Sequence, residues 1–91
     1  MLKHWPPLNA LRGFEAAARL GSFHKAAEEL HLTQSAISQQ IRSLESFLEQ
    51  PLFFRSGRSV ALTDAGLAAM RQADQIFQLG EALPEVVRAA V

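Results

Sequence analysis

The 91-residue sequence contains no cysteine, which excludes a disulfide scaffold and every zinc or iron–sulfur site that depends on thiolates. No apolar run approaches the roughly 18 residues that a membrane span needs. The opening residues contain no apolar signal core, so we expect a cytoplasmic protein without a membrane partner. Apolar residues make up 48 % of the chain, and this content predicts one packed domain with at most one protruding element.

The sequence motifs of common enzyme classes are also absent. There is no glycine-rich phosphate loop, no Gly-x-Ser-x-Gly and no His-Glu-x-x-His. His24 and His31 have no second ligand at zinc spacing, so we interpret them as helix-end or surface residues. We therefore expect no enzyme activity, no catalytic residue, no cofactor and no bound metal.

The net charge is zero, with nine basic and nine acidic side chains, and this balance alone does not indicate a nucleic-acid partner. The distribution of charge indicates one. Residues 1–63 carry seven basic side chains against five acidic ones, whereas residues 64–91 carry two against four. Residues 30–44 and 50–63 contain no acid but include Arg42, Arg55 and Arg58. If these stretches share one face, that face is positive although the chain is neutral.

Capping residues predict three helices in the first part of the chain. Asn9 is the expected N-cap of a helix over 10–20, which Gly21 ends. Ser22 caps a short helix over 23–30, and Thr33 caps a third helix over 34–48.

The third helix has one apolar stripe and one polar face. Its apolar residues recur at intervals of four, three and four, which places Ile37, Ile41, Leu44 and Leu48 on one buried side. The opposite side carries Gln34, Ser35, Ser38, Arg42 and Glu45.

A β-hairpin and a long helix complete the chain. Strands over 52–55 and 58–62 are expected around a Ser56-Gly57 turn. Thr63 then caps a helix over 64–91 with a heptad seam that consists of Gly66, Ala69, Ala73, Ile76, Gly80, Leu83, Val87 and Ala90. Pro84 predicts a kink or a short break near residues 79–84.

This order of elements predicts a mainly α fold: a winged helix-turn-helix, with three helices and a two-stranded wing, over residues 1–62, and a long linker or dimerisation helix over 63–91. The third helix can enter a major groove, where glutamine amides pair with adenine and serines reach bases or phosphates. Helix N-termini and wing arginines favour phosphates or the minor groove. The predicted DNA-binding residues are Ser22, His24, Lys25, Thr33, Gln34, Ser35, Ser38, Gln39, Arg42, Arg55 and Arg58.

Each of these features has a plainer interpretation. The polar side of the third helix can be an ordinary solvated face, and Arg42 can pair with Glu45 or Glu49. The wing arginines can protect a strand edge from aggregation. The heptad seam can pack on its own domain, and the whole winged helix can be a protein-docking module instead of a DNA-binding domain.

Three segments resemble the DNA-binding domain of LysR-type transcriptional regulators: residues 22–45 (SFHKAAEELHLTQSAISQQIRSLE), 52–55 (LFFR) and 62–66 (LTDAG). Residues 6–12 and 15–19 resemble the branch with glycine-cleavage, tryptophan-synthase and β-lactamase regulators. The sequence departs from the family pattern in Gln39, where many relatives have arginine, and in 49–51, where many have glycine.

The resemblance implies a prokaryotic transcription factor that binds an inverted-repeat DNA operator as a homodimer. Gln34, Ser35, Ser38 and Gln39 match recognition-helix contacts, and Arg58 matches the wing arginine. The linker helices pair antiparallel, and the predicted interface consists of Ala69, Ala73, Ile76, Phe77, Gly80, Leu83 and Val87. The family's effector-binding domain is absent from these 91 residues, so a small-molecule effector is expected only in a full-length protein.

Overall fold

A computed structural model describes residues 5–91, so the first four residues of the predicted 1–62 domain lie outside the described residues. The elements are α1 (Leu8–Leu20), α2 (Phe23–Leu30), α3 (Gln34–Leu48), β1 (Phe53–Ser56), β2 (Ser59–Leu62) and α4 (Asp64–Ala89). The strands form a two-stranded antiparallel sheet. The predicted order of three helices, hairpin and long helix is confirmed.

Three side-chain caps set where α2, α3 and α4 begin. The hydroxyl of Ser22 accepts from the Lys25 amide at 3.1 Å, and that of Thr33 accepts from the Ala36 amide at 3.0 Å. Thr63 caps α4 in the same way. These bonds satisfy amides that have no partner inside the helix, as the sequence predicts.

The predicted start of α1 is wrong. The helix begins at Leu8 with Pro7 as its N-cap, and Asn9 lies within the first turn. The backbone of Pro7 is extended, and its carbonyl accepts from the Ala10 amide at 2.9 Å. Proline suits the start of a helix because it has no N–H group that would be left without an intrahelical partner. The helix therefore starts two residues earlier than the polar side chain of Asn9 indicates.

The hairpin turn lies one residue later than predicted. Ser56 pairs with Ser59, so Gly57 and Arg58 form the two-residue loop. Gly57 has a φ of 60°, and a glycine with positive φ at the first central position is typical of a type II′ turn. The correction moves Arg58 from a strand to the tip of the wing.

The core lies between α1, α2 and α3, and the hairpin closes one end of it. Phe53 of β1 places its ring 5.5 Å from the ring of Phe14 and 5.4 Å from that of Phe23. These aromatic contacts pack the wing against the helices. A two-stranded hairpin needs such packing because it is only marginally stable alone in water. The largest fully buried side chains are Phe14, Ile37, Ile41, Leu44 and Leu52.

Leu48 is not part of the buried stripe, because 39 % of its surface is exposed. The chain turns back after α3, and the Leu52 amide donates to the Glu45 carboxylate at 2.8 Å. Leu52 is fully buried. Leu52, which follows the turn, is therefore part of the core, whereas Leu48 is not.

The seam of α4 divides into two parts. Ala73 is fully buried, and Ala69, Met70 and Phe77 pack partly against the core. Every residue from position 78 onward is exposed. The alternative that the seam packs on its own domain therefore holds for the first half of the helix only.

The helix continues through Pro84, so the predicted short break is wrong. The proline removes the bond to the carbonyl of residue 80, but that residue is an exposed glycine with open space around it. Water can reach this carbonyl, and the neighbouring turns keep their own bonds.

Candidate nucleic-acid interface

The outer side of α3 is polar and open. Ile37, Ile41 and Leu44 are buried on one side of the helix, and the other side has no acid between its start and Leu44. A shallow depression on that outer side is lined by Gln34, Ser35, Ser38 and Arg42. Since these side chains are small or slender, the side is narrow enough to enter a major groove.

Two of the predicted contact residues hydrogen-bond to each other. Nη2 of Arg42 donates to Oε1 of Gln39 at 3.0 Å. The alternative pairing of Arg42 with Glu45 or Glu49 does not occur in the described residues. Glu45 instead accepts from the Leu52 amide. Arg42 is therefore held next to Gln39 without a carboxylate that neutralises it.

The start of α2 combines a cap with exposed basic groups. Lys25 is exposed, and Nε2 of the exposed His24 lies 3.5 Å from the Glu28 carboxylate. Ser22 is half-buried and uses its hydroxyl oxygen as the cap, so its proton can still donate to a phosphate. Thr33, which is exposed at the start of α3, also uses its hydroxyl oxygen as a cap, so its hydroxyl proton can donate to a phosphate as well.

The wing is tied to this start of α2. The guanidinium carbon of Arg55 lies 4.9 Å from the centre of the Phe23 ring, a cation–π contact. The Val60 amide donates to the carbonyl of Gly21 at 3.2 Å. The structure thus brings Arg55 beside the residues around Ser22, whereas Arg58 extends at the exposed tip of the wing.

Sequence reasoning missed two of these relationships. The Gln39–Arg42 bond has a signal that could have found it, because residues three apart are neighbours on a helix. The contact between Arg55 and Phe23 joins distant parts of the chain, and no local pattern indicates it.

One cluster of charges lies outside the predicted interface. Arg19 bonds to Glu29 and, at 2.8 Å, to Glu15. The hydrogen bonds to Glu29 and Glu15 raise the pKa of Arg19, and the bond from Arg19 lowers the pKa of Glu29. This cluster connects α1 with α2, so Arg19 acts in the fold and is not a free cation.

Three residues of the predicted dimer interface are covered, fully or partly, by their own chain. Ala73 is covered by its own chain, and Ala69 and Phe77 are partly covered. Gly80 is exposed, as are Ile76, Leu83 and Val87. Leu79 and Val86, which the seam does not include, are also largely exposed, at 74 % and 63 %.

Residues 5–91 contain no group of three potential metal ligands. None of the described helices is long and apolar enough to cross a membrane.

Comparison with known proteins relates this arrangement to a described protein family. Residues 8–67 match the profile of "Bacterial regulatory helix-turn-helix protein, lysR family". The "Glycine cleavage system transcriptional activator" of Escherichia coli K12 is 55 % identical over 83 residues, which are 90 % of this chain and 27 % of that protein. The chain thus spans about a quarter of the length of such relatives.

Two solved structures with DNA are also similar. The chain shares 36 % identity and a TM-score of 0.85 with the "CbnR_DBD-DNA complex", over 91 % of this chain and 95 % of that one. It shares 30 % identity and a TM-score of 0.85 with the "BenM_DBD/benA site 1 DNA Complex", over 92 % and 98 %.

Proposed function

Because the chain belongs to the lysR family of bacterial regulatory helix-turn-helix proteins, we propose that it binds an inverted-repeat operator in duplex DNA and regulates transcription. The observation that carries the proposal is the polar outer side of α3, where Gln34, Ser35, Ser38 and Arg42 line one open depression. Amides and hydroxyls in a groove-sized helix read base edges. The two similar structures described as DNA complexes support this use of the fold.

The other basic residues contact phosphates in this proposal. Lys25 and His24 stand at the start of α2, where backbone amides also attract anions. Arg58 at the wing tip reaches the minor groove or its phosphates, and Arg55 stands closer to α2 because it stacks on Phe23.

The operator's two halves are bound by two copies of the chain. The exposed part of α4 presents Ile76, Leu79, Leu83 and Val87 to water, and burying the remaining exposed surface of each side chain stabilises a dimer by at most about 1.5–3 kcal/mol. Antiparallel pairing of these helices covers both copies at once, as two-fold symmetry requires.

We place the protein in the bacterial cytoplasm, at the nucleoid when bound to DNA. We assign it no catalytic activity, and we expect a small-molecule effector only where the chain is part of a full-length regulator. The relatives that match are named as transcriptional activators or regulators, which supports a regulatory role.

Binding to DNA is tested by selecting sequences from a random duplex library and measuring affinity for the selected duplex by fluorescence anisotropy. Affinity should fall steeply between low and moderate salt, because each neutralised phosphate releases counterions. Ser38→Ala should cost about 1–3 kcal/mol on the selected duplex and much less on a scrambled one.

Ser43→Ala is the matched control, since Ser43 is exposed on α3 outside the depression. A flat salt dependence, or no binding to any duplex, would favour a protein-docking module. Light scattering at tens of micromolar tests the dimer, and a monomeric mass would contradict it.

A further inference from the structure

The bond between Arg42 and Gln39 restricts what the Gln39 amide can offer to a base. An amide side chain has one acceptor oxygen and one nitrogen with two donor hydrogens. Oε1 of Gln39 accepts from Arg42 at 3.0 Å. This bond uses one of the two lone pairs of Oε1 and places the guanidinium charge beside the other, whereas Nε2 offers two donors.

Arg42 adds further donors at the same place. Its guanidinium carries five N–H groups and no acceptor, and the bond to Gln39 uses one of them. The two nearest glutamates along α3 do not pair with it, since Glu45 accepts from the Leu52 amide and Glu49 forms no ion pair in the described part of the chain. Together the two side chains present several donors and one acceptor lone pair, which lies beside the guanidinium charge.

The four base pairs differ in how they meet such a surface. In the major groove guanine presents two acceptors, N7 and O6, whereas adenine presents one acceptor and one donor. A glutamine pairs with adenine through both its oxygen and its nitrogen, so the adenine amino group would have to share Oε1 with Arg42 and face the remaining donors of the guanidinium. Cytosine presents a donor, and thymine presents one acceptor beside a methyl group.

We propose that Gln39 and Arg42 act as one unit that selects guanine at one position of each operator half-site. This inference depends on the proposed function, because it requires α3 to lie in the major groove. It also differs from the expectation from the sequence that Gln39 pairs with adenine, since that expectation does not include the guanidinium beside Oε1.

The test is selection from the random duplex library with the wild type and with Arg42→Met, which keeps a long apolar stem but removes every donor. The wild type should enrich guanine at one position in each half-site. Arg42→Met should shift that position towards adenine, because the adenine amino group then neither shares Oε1 of Gln39 with Arg42 nor faces the guanidinium donors. The guanine-to-adenine affinity ratio should fall at least fivefold.

Arg58→Met is the matched control, because it removes one wing cation and leaves α3 unchanged. It should weaken binding to all sequences with the same base preferences. Replacing the selected guanine by 7-deazaguanine, which lacks the N7 acceptor, should weaken the wild type more than Arg42→Met, which has lost the guanidinium donors.

Two results would overturn the pairing while leaving DNA recognition intact. One is enrichment of adenine at this position by the wild type. The other is loss of the guanine preference in Arg42→Met without a gain of adenine, together with an unchanged preference in Gln39→Ala, because guanine would then belong to Arg42 alone. If no sequence is enriched at all, the proposed function itself fails.

Discussion

Gly13 of α1 lies directly against the side chain of Gln40 in α3, and a Cβ at Gly13 would overlap Oε1 of Gln40 and lie 3.3 Å from its Cδ. The same Oε1 is buried and has no hydrogen-bond partner within residues 5–91. The two helices therefore approach closely at Gly13, which has no side chain, and the Gln40 side chain occupies the space beside it.

Gly13→Ala should change the stability of the domain by no more than about 1 kcal/mol, because the methyl group displaces the end of the flexible Gln40 side chain while alanine favours the helix. In Gly13→Ala/Gln40→Ala the shorter side chain at position 40 makes room for the methyl group, so the double variant should be more stable than additivity predicts. Urea denaturation of the four proteins measures this coupling, for which about 0.5–3 kcal/mol is typical of residues in contact. Strict additivity would show that the contact does not set the helix spacing.

Glu49 ends α3 with a φ of 57°, a left-handed conformation that costs a non-glycine residue about 1–2 kcal/mol. Glu49→Gly should stabilise the domain by about 0.5–1 kcal/mol, because glycine has no Cβ to strain. Thermal denaturation measures the change. Glu49→Ala is the control, since it removes the same charge but keeps the Cβ and should give no comparable gain.

The two wing arginines should differ in how they affect stability. Arg58→Ala should weaken DNA binding and lower the slope of the salt dependence by about one, while stability changes by no more than about 0.5 kcal/mol. Arg55→Ala should also lower stability by about 0.5–1 kcal/mol, because it removes the contact with the Phe23 ring. Equal stability losses in both variants would contradict the structure of the wing.

The bond from Arg19 to Glu29 predicts a pH dependence of stability. The pKa of Glu29 is lowered in the folded chain, so the contact stabilises fully above the ordinary glutamate pKa of 4.5. Its contribution is lost as the pH falls through the lower folded value. The melting-temperature difference between wild type and Glu29→Gln should therefore be present at pH 7 and disappear in strong acid.

Glu85→Gln serves as the control for this effect. Glu85 is exposed on α4 and forms no ion pair among the described residues. Its substitution should give a difference that changes much less with pH. A pH-independent difference for Glu29→Gln would mean that the carboxylate charge does not stabilise the contact.

The features that sequence reasoning predicted correctly are those that depend on a few neighbouring residues. Ser22, Thr33 and Thr63 cap their helices because a hydroxyl before a helix reaches an amide three residues on. The hairpin was misplaced by one residue, since Ser56-Gly57 and Gly57-Arg58 are both acceptable two-residue loops and only the strand register decides between them.

The errors in the core and along α4 have a different origin. Leu48 continues the spacing of its helix, yet Leu52 occupies the core after the chain turns back. Ala73 continues the seam of α4, yet it is buried by its own domain. Periodicity identifies the apolar side of a helix, but it does not identify which neighbour covers that side.

Because the first half of α4 packs on the domain, the direction in which its exposed second half faces is fixed. Each residue added to a helix turns everything beyond it by about 100° and advances it by about 1.5 Å. In the proposed dimer, one residue inserted between Phe77 and Leu83 would thus rotate the second copy away from the orientation that two half-sites on a duplex require. A seven-residue insertion nearly restores the direction but lengthens the arm by about 10 Å, so α4 would fix both the angle and the reach of the proposed pair.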